Sequence, residues 1–119
     1  MAAFHRIDYI ELCVLNLSES KTFFEKAFGW QFRDYGPDYC GIKDLANGGE
    51  MGGMTTEGNG AQTSGPLVVL ISEDLEASLE ETKKAGGKIT KDIFEFPGGR
   101  RFEFKEPGGN VMAVWSKNQ

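Results

Sequence analysis

The alternation of apolar and polar residues over residues 7–14 predicts a β-strand with two different faces. The apolar positions of this strand are Ile10, Leu12 and Val14. Asn16 then provides a side-chain N-cap, and an apolar stripe at helical spacing predicts a helix over residues 17–28. Gly29 is suited to the left-handed conformation in which many helices end. Residues 7–29 are therefore expected to form a strand followed by a capped helix.

The same arrangement returns 58 positions later in the chain. Three kinds of structural position recur at that offset: a helix cap, a helix stop and a position on one face of a strand. They are Asn16 and Asp74, Gly29 and Gly87, and Leu12 and Leu70. An internal repeat of this length predicts two similar units packed together.

The other elements complete two equal units. Further strands are predicted over residues 30–35, 39–45, 50–56, 66–72, 88–96, 100–105 and 111–116, and a second helix over residues 75–85. We expect one α+β domain over residues 1–119, made of two βαβββ modules with mixed or antiparallel sheet. Module one covers about residues 6–57, a Gly-rich linker residues 58–65, and module two residues 66–116. Each sheet should bury one face under its helix.

Composition narrows the function classes. A net charge of −5 argues against nucleic-acid binding, which needs clustered lysine and arginine. Neither a membrane-spanning apolar run nor a signal-peptide core is present in the sequence, so we expect a cytoplasmic protein without membrane partners. Cys13 and Cys40 lack metal-ligand spacing and are expected to be free thiols.

Three motifs mark the helix entries of both modules and the closing strand of module two. They are Val14-Leu-Asn-Leu-Ser-Glu-Ser20 with Phe28-Gly-Trp30, Glu73-Asp-Leu-Glu-Ala-Ser78, and Pro107-Gly-Gly-Asn-Val-Met-Ala-Val114. Together they resemble the vicinal oxygen chelate superfamily, which includes glyoxalase I, bleomycin-resistance proteins and extradiol dioxygenases. The resemblance spans Ile7 to Trp115 and implies that the paired modules form a glyoxalase-like cup. It also implies a homodimer, in which either two complete chains meet or the two chains exchange modules. It does not select one reaction, because one fold hosts many functions.

In metal-dependent members of that superfamily, the strands of both modules offer histidine or glutamate ligands to one divalent ion. Carried over onto this sequence, the first-strand positions fall at Tyr9 and Leu67. The last-strand positions fall at Ala113 and at Thr55, or at Gly53 if the loops differ by two residues. None of these residue types is an ordinary metal ligand. We therefore expect neither a metal nor another cofactor.

Strand alternation selects the residues that face the cup. The cup-facing parity comprises Tyr9, Glu11, Cys13, Thr55, Leu67, Val69, Ile71, Val111, Ala113 and Trp115. Phe102 and Trp115 carry rings suited to stacking on a planar ligand. The candidate ligand-binding residues are Tyr9, Glu11, Thr55, Leu67, Val69, Phe102, Ala113 and Trp115.

Three functions remain open. The first is metal-independent binding of a small, partly apolar or aromatic molecule, as in the antibiotic-resistance branch. The second is a lyase or isomerase with Glu11 as base and Tyr9 as acid, since an apolar pocket raises the pKa of a carboxyl group. The third is a structural or interaction role with a cup filled by side chains. Arg100 and Arg101 either meet an acidic ligand group or form a solvated loop pair.

Overall fold

The computed structural model describes residues 7–58, residue 60 and residues 66–118, so most of the expected linker lies outside the described residues. Module one contains β1 (Ile10–Cys13), α1 (Leu17–Phe28), β2 (Phe32–Asp34), β3 (Tyr39–Lys43) and β4 (Glu50–Thr55). Module two contains β5 (Val68–Ile71), α2 (Leu75–Lys84), β6 (Lys88–Phe96), β7 (Gly99–Lys105) and β8 (Val111–Lys117). The predicted order of two βαβββ units is confirmed.

Each module forms its own four-stranded mixed sheet. The strand orders are β1-β4-β3-β2 and β5-β8-β7-β6. In both sheets the first and last strands of the module pair in parallel, and the other neighbours pair antiparallel. The fold is therefore α+β and open on one side, as expected. Within the described residues, neither helix has the length and apolar character needed to cross a bilayer.

The number of residues that separates equivalent positions of the two modules is different for the helices and for the last strands. The helices start at Leu17 and Leu75, 58 residues apart. In module one, Leu12 of β1 lies opposite Met54 of β4, whereas in module two Leu70 of β5 lies opposite Val114 of β8. The last strands are thus offset by 60 residues, because module two has two more residues between its first and last strands.

Both helices begin at a side-chain cap. Asn16 Oδ1 accepts a hydrogen bond from the backbone N–H of Glu19 at 2.9 Å, and Asp74 Oδ1 accepts one from Ala77 at 3.1 Å. These bonds satisfy N–H groups that have no partner inside the helix. Gly29 ends α1 with a φ of 72°, the left-handed conformation that glycine adopts without strain.

Aromatic side chains of α1 form the centre of the core. Phe23 is 1% exposed, and its ring centroid lies 5.8 Å from that of Phe104 in β7 of the other module. Phe24 is fully buried and stacks on Trp30 with a centroid separation of 4.4 Å. Full burial of one phenylalanine contributes about 1.5–3 kcal/mol, so Phe23 is a strong link between the modules.

A buried carboxylate also joins the modules. Glu106, in the turn between β7 and β8, is 2% exposed. Its Oε1 accepts from Ser20 Oγ of α1 at 2.7 Å and from the Gly108 N–H at 2.8 Å. Its Oε2 accepts from the backbone and side-chain N–H groups of Asn110, whose Nδ2 also donates to the Cys13 carbonyl of β1. We call this arrangement of Glu106 and its donors the Glu106 clamp.

Candidate functional site

Each sheet has one face against the helices and one face turned away from them, which we call the cup face. Among the residues predicted to face the helices, Leu12, Val14, Met54, Met112 and Val114 are buried in the core, and Val68 and Leu70 are partly buried against it. Ile10, in the edge strand β1, is instead 40% exposed. The cup face therefore carries Tyr9, Glu11, Cys13 and Thr55 from module one and Leu67, Val69, Ile71, Val111, Ala113 and Trp115 from module two.

Phe102, predicted as a ligand-binding residue, does not lie on the cup face. Phe102 is fully buried, lies opposite Val114, and packs beside Phe104 in the core. Because side chains alternate along a strand, its neighbours Arg101 and Glu103 lie on the cup face instead. The ring of Phe102 suggested stacking, but its strand parity is that of a core residue.

Two tyrosines and a glutamate form a hydrogen-bonded chain on the cup face of module one. The hydroxyl oxygens of Tyr9 and Tyr39 lie 2.5 Å apart, and the Tyr39 hydroxyl donates to Glu11 Oε1 at 2.9 Å. Both hydroxyls pack directly over Gly53, where a Cβ atom would collide with each of them. Gly53 therefore makes the room that this tyrosine chain occupies.

In the hydrogen bond between Tyr39 and Glu11, the Tyr39 phenol is the donor. Burial raises the pKa of the Tyr39 phenol well above its usual range, and the hydrogen bonds to Tyr9 and Glu11 raise it further. The phenol therefore keeps its proton at neutral pH and acts as the donor to Glu11. Glu11 itself is exposed, so it does not lie in the enclosed apolar pocket that the acid–base hypothesis requires. Tyr39 is a site residue that the sequence did not reveal, because its face depends on the pairing of β3 with β4.

A second phenol–carboxylate pair lies beside the first. The Tyr35 hydroxyl donates to Glu50, and this hydrogen bond raises the pKa of the Tyr35 phenol. The Glu50 carboxylate folds over Gly41, where a Cβ atom would overlap it. Gly41 is the cross-strand partner of Gly53. Two adjacent glycines thus allow two phenol–carboxylate pairs to lie flat on the sheet, which makes this cup face polar.

The cup face of module two carries apolar and aromatic side chains beside the charged pair of Arg101 and Glu103. Val69, Phe96, Arg101 and Trp115 line a cleft of about 230 Å³. The ring centroids of Phe96 and Trp115 lie 6.1 Å apart at an interplanar angle of 43°. Ile71 extends this surface and is 63% exposed.

A larger cleft of about 650 Å³ separates the modules at the free edges of β1 and β5. Glu11 and Cys13 line it from module one, and Leu67 and Val111 line it from module two. The structure therefore brings the predicted residues Glu11 and Leu67 to one cleft.

Two predicted site residues are less accessible. Thr55 is 7% exposed, and its Oγ1 accepts from the backbone N–H of Glu57 at 3.1 Å. Together with Tyr39 it lines a separate cleft of about 440 Å³. Ala113 is fully buried, so neighbouring side chains cover it on the cup side.

The positions that the resemblance assigns to metal ligands do not fit a divalent ion. Gly53 lies opposite Glu11 as Ala113 lies opposite Val69, so Gly53 rather than Thr55 is the structural equivalent of Ala113. The four positions are then tyrosine, glycine, leucine and alanine, which offer one phenol oxygen between them. Across residues 7–58, 60 and 66–118, no three His, Cys, Asp or Glu side chains are grouped so that they could share an ion.

Solved structures with this fold come from several bacteria. A glyoxalase-related enzyme from Fulvimarina pelagi superposes with a TM-score of 0.76 at 18% identity, over 96% of this chain and 89% of that chain. An integron cassette protein from V. cholerae gives 0.75 at 17% identity over 99% of both chains. An antibiotic-binding protein from a Streptomyces species gives 0.74 at 16% identity, over 99% of this chain and 100% of that chain. At these identities the likenesses show the fold alone.

Sequence comparison identifies the family. No curated protein matches the chain. The family model described as Glyoxalase/Bleomycin resistance protein/Dioxygenase superfamily matches residues 6–114, and this match covers most of the chain. The chain therefore belongs to the glyoxalase/bleomycin resistance protein/dioxygenase superfamily.

Proposed function

We propose that this protein binds a small, partly apolar or aromatic molecule in its cup without the help of a metal ion. The packing of the Tyr9 and Tyr39 hydroxyls onto Gly53 carries the proposal. A side chain at position 53 cannot share that space with the two phenols. The tyrosine chain and a metal-ligating carboxylate at position 53 therefore exclude each other.

The two cup faces supply different contacts for such a ligand. Module one offers phenol hydroxyls and the carboxylates of Glu11 and Glu50, and module two offers Val69, Phe96 and Trp115. Small-molecule sites are mostly apolar with a few polar groups that fix orientation, and they measure roughly 300–1,000 Å³. The cleft of about 650 Å³ between the modules, lined by Glu11 and Leu67, falls in that range, and the separate cleft beside Trp115 measures about 230 Å³. Open clefts in both places favour a ligand over a cup filled by side chains.

Binding is also favoured over catalysis. The Streptomyces neighbour is described as an antibiotic-binding protein, and its fold covers 99% of this chain. A lyase or isomerase with Glu11 as base and Tyr9 as acid calls for an enclosed carboxyl group. Glu11 is exposed and already accepts a hydrogen bond from Tyr39, so we place this function second.

Tryptophan fluorescence tests the proposal, because Trp115 lines the cleft of module two whereas Trp30 stacks on Phe24. The Trp30→Phe variant should show saturable quenching by 4-nitrobenzyl alcohol, a neutral aromatic quencher, with a Kd in the micromolar range. The matched Trp115→Phe variant, which keeps Trp30, should show only linear collisional quenching. Addition of EDTA should leave the saturable quenching unchanged.

Elemental analysis tests the metal independence separately. Protein purified without added ions should contain far less than one divalent ion per chain. A near-stoichiometric metal content, or the loss of saturable quenching on chelation, would contradict the proposal.

We further propose that two copies form a homodimer through the free strand edges. β1 and β5 are edge strands, and the apolar side chain of Ile71 in β5, which lines neither ligand cleft, is 63% exposed. Proteins normally cover such edges and apolar surfaces. Light scattering at several concentrations should give the mass of a dimer, and Ile71→Asp should shift it towards the monomer. Leu45→Asp is the matched control, since Leu45 is 61% exposed in the turn before β4, and a monomeric native protein at all concentrations would refute the dimer.

A further inference from the structure

Arg101 lies among aromatic side chains on the cup face of module two. Across the sheet it lies opposite Trp115 of β8 and Phe94 of β6. Its guanidinium carbon is 5.3 Å from the ring centroid of Phe94 and 5.9 Å from that of Phe96. A guanidinium group stacked on aromatic rings is held in a fixed plane and is weakly hydrated. The charge of Arg101 is thus oriented before any ligand arrives.

The guanidinium group is only partly satisfied by the protein. Its Nη2 donates to Glu103 Oε2 at 3.0 Å, so that carboxylate engages one of the five N–H donors. Its Nε is enclosed, and no acceptor for it lies among the described residues. Arginine and a carboxylate often pair through two parallel bonds, but Glu103 makes one. The side chain of Arg101 is 31% exposed and borders the cleft of about 230 Å³, which is where a further acceptor can approach.

The local charge favours an anionic partner. Lys91 lies opposite Glu103 in the register of β6 and β7, and its Nζ is 5.7 Å from the ring centroid of Phe94. Two cations, Arg101 and Lys91, therefore lie over the ring of Phe94, and Arg101 forms an ion pair with one carboxylate, that of Glu103. The rest of the cleft, Val69, Phe96 and Trp115, is uncharged.

Arg100, the preceding residue in the same strand, makes the two-bond pairing with a carboxylate that Arg101 lacks. It points to the other face of β7, where Nη1 and Nη2 donate to the two carboxylate oxygens of Glu76 at 2.6 and 3.2 Å. These bonds hold the pKa of the Glu76 carboxyl group below its usual range. Arg100 thus links β7 to α2, whereas Arg101 retains donors on the cup face.

We propose that Arg101 binds the carboxylate of a planar aromatic ligand whose ring enters the cleft beside Val69 and Trp115. This inference rests on the proposed binding function and names the chemical class of the ligand. The cleft is below the size of sites for drug-sized molecules, roughly 300 Å³ and more, so it suits one or two fused rings. Because Arg101 supplies oriented donors in a partly desolvated place, the anionic form of a ring compound binds more tightly than its neutral amide.

Calorimetric titration with 2-naphthoate and 2-naphthamide tests the inference, since the two probes share a ring system and differ in charge. The native protein should bind 2-naphthoate at least about tenfold more tightly than 2-naphthamide, as expected for a charge-assisted hydrogen bond. Arg101→Gln should abolish this preference and change the affinity for 2-naphthamide by less than about twofold. Arg100→Gln, which removes the same charge from the other face of the strand, should retain the preference.

The outcomes separate this inference from the proposed function. If both probes bind equally well, or if Arg101→Gln keeps the preference for 2-naphthoate, the role of Arg101 is refuted and aromatic binding stands. If Arg101→Gln weakens both probes alike, Arg101 shapes the cleft and does not recognise charge, which also overturns the inference. If neither probe binds, aromatic binding in this cleft falls together with the inference.

Discussion

Replacement of Glu106 by alanine should lower the free energy of unfolding by about 3 kcal/mol or more. The Glu106 carboxylate is 2% exposed and accepts four hydrogen bonds, from Ser20, Gly108 and Asn110. Its removal leaves these donors without their acceptor in a buried place, where each unsatisfied group costs about 1–3 kcal/mol. Urea unfolding followed by circular dichroism measures the loss.

Two further variants show whether the Glu106 clamp itself is responsible. Glu106→Gln should have an intermediate effect, because its single amide oxygen can replace only one carboxylate oxygen and the NH₂ group then faces donors. Glu80→Ala is the control, since Glu80 lies on the exposed side of α2 and pairs with Lys83 only at 3.7 Å. That substitution should cost less than about 0.5 kcal/mol. An effect of Glu106→Ala as small as that of Glu80→Ala would show that the clamp does not stabilise the fold.

The elements that follow from local sequence were predictable. The cap of α1 at Asn16 and its stop at Gly29 depend on residues within one turn of each helix end. The two faces of β1 follow from alternation within four residues. These features need no knowledge of distant parts of the chain, and the repeated order of elements then indicates the fold class.

The site depends on contacts between distant residues and was only partly predictable. The face on which Tyr39 lies follows from its pairing with Thr55 in β4, which the sequence does not state. The hydroxyl of Tyr39 reaches Glu11, 28 residues away in the chain, because it lies over Gly53, the cross-strand neighbour of Glu11. Strand alternation alone assigns Arg101 to the cup face and Phe102 to the core. Phe102 was nevertheless predicted to bind a ligand, because its aromatic ring is suited to stacking.

Neighbouring glycines in β4 should differ in how strongly their substitution by alanine destabilises the fold. A Cβ atom at Gly52 would meet the backbone carbonyl oxygen of Ile10 in β1, and backbone can move only by breaking the strand pairing. Gly52→Ala should therefore cost about 2–3 kcal/mol, the upper part of the range of roughly 1–3 kcal/mol that is typical of overpacking. A Cβ atom at Gly53 would meet the hydroxyl ends of Tyr9 and Tyr39, which can rotate away. Gly53→Ala should therefore cost less than about 1 kcal/mol.

Gly53→Ala should change the ionisation of the Tyr39 phenol more than it changes the free energy of unfolding. Once the hydroxyls are displaced, Tyr39 loses the burial and the hydrogen bonds that raise its pKa, so its phenol should ionise closer to the usual range. An ultraviolet absorbance titration of the phenols measures this change, and Tyr39→Phe identifies the contribution of Tyr39. If the two alanine substitutions destabilise the fold equally, the tyrosine hydroxyls over Gly53 do not rotate away and this prediction is contradicted. An unchanged phenol titration in Gly53→Ala would show that the tyrosine chain does not depend on that glycine, and the argument against a carboxylate ligand at this position would then fail.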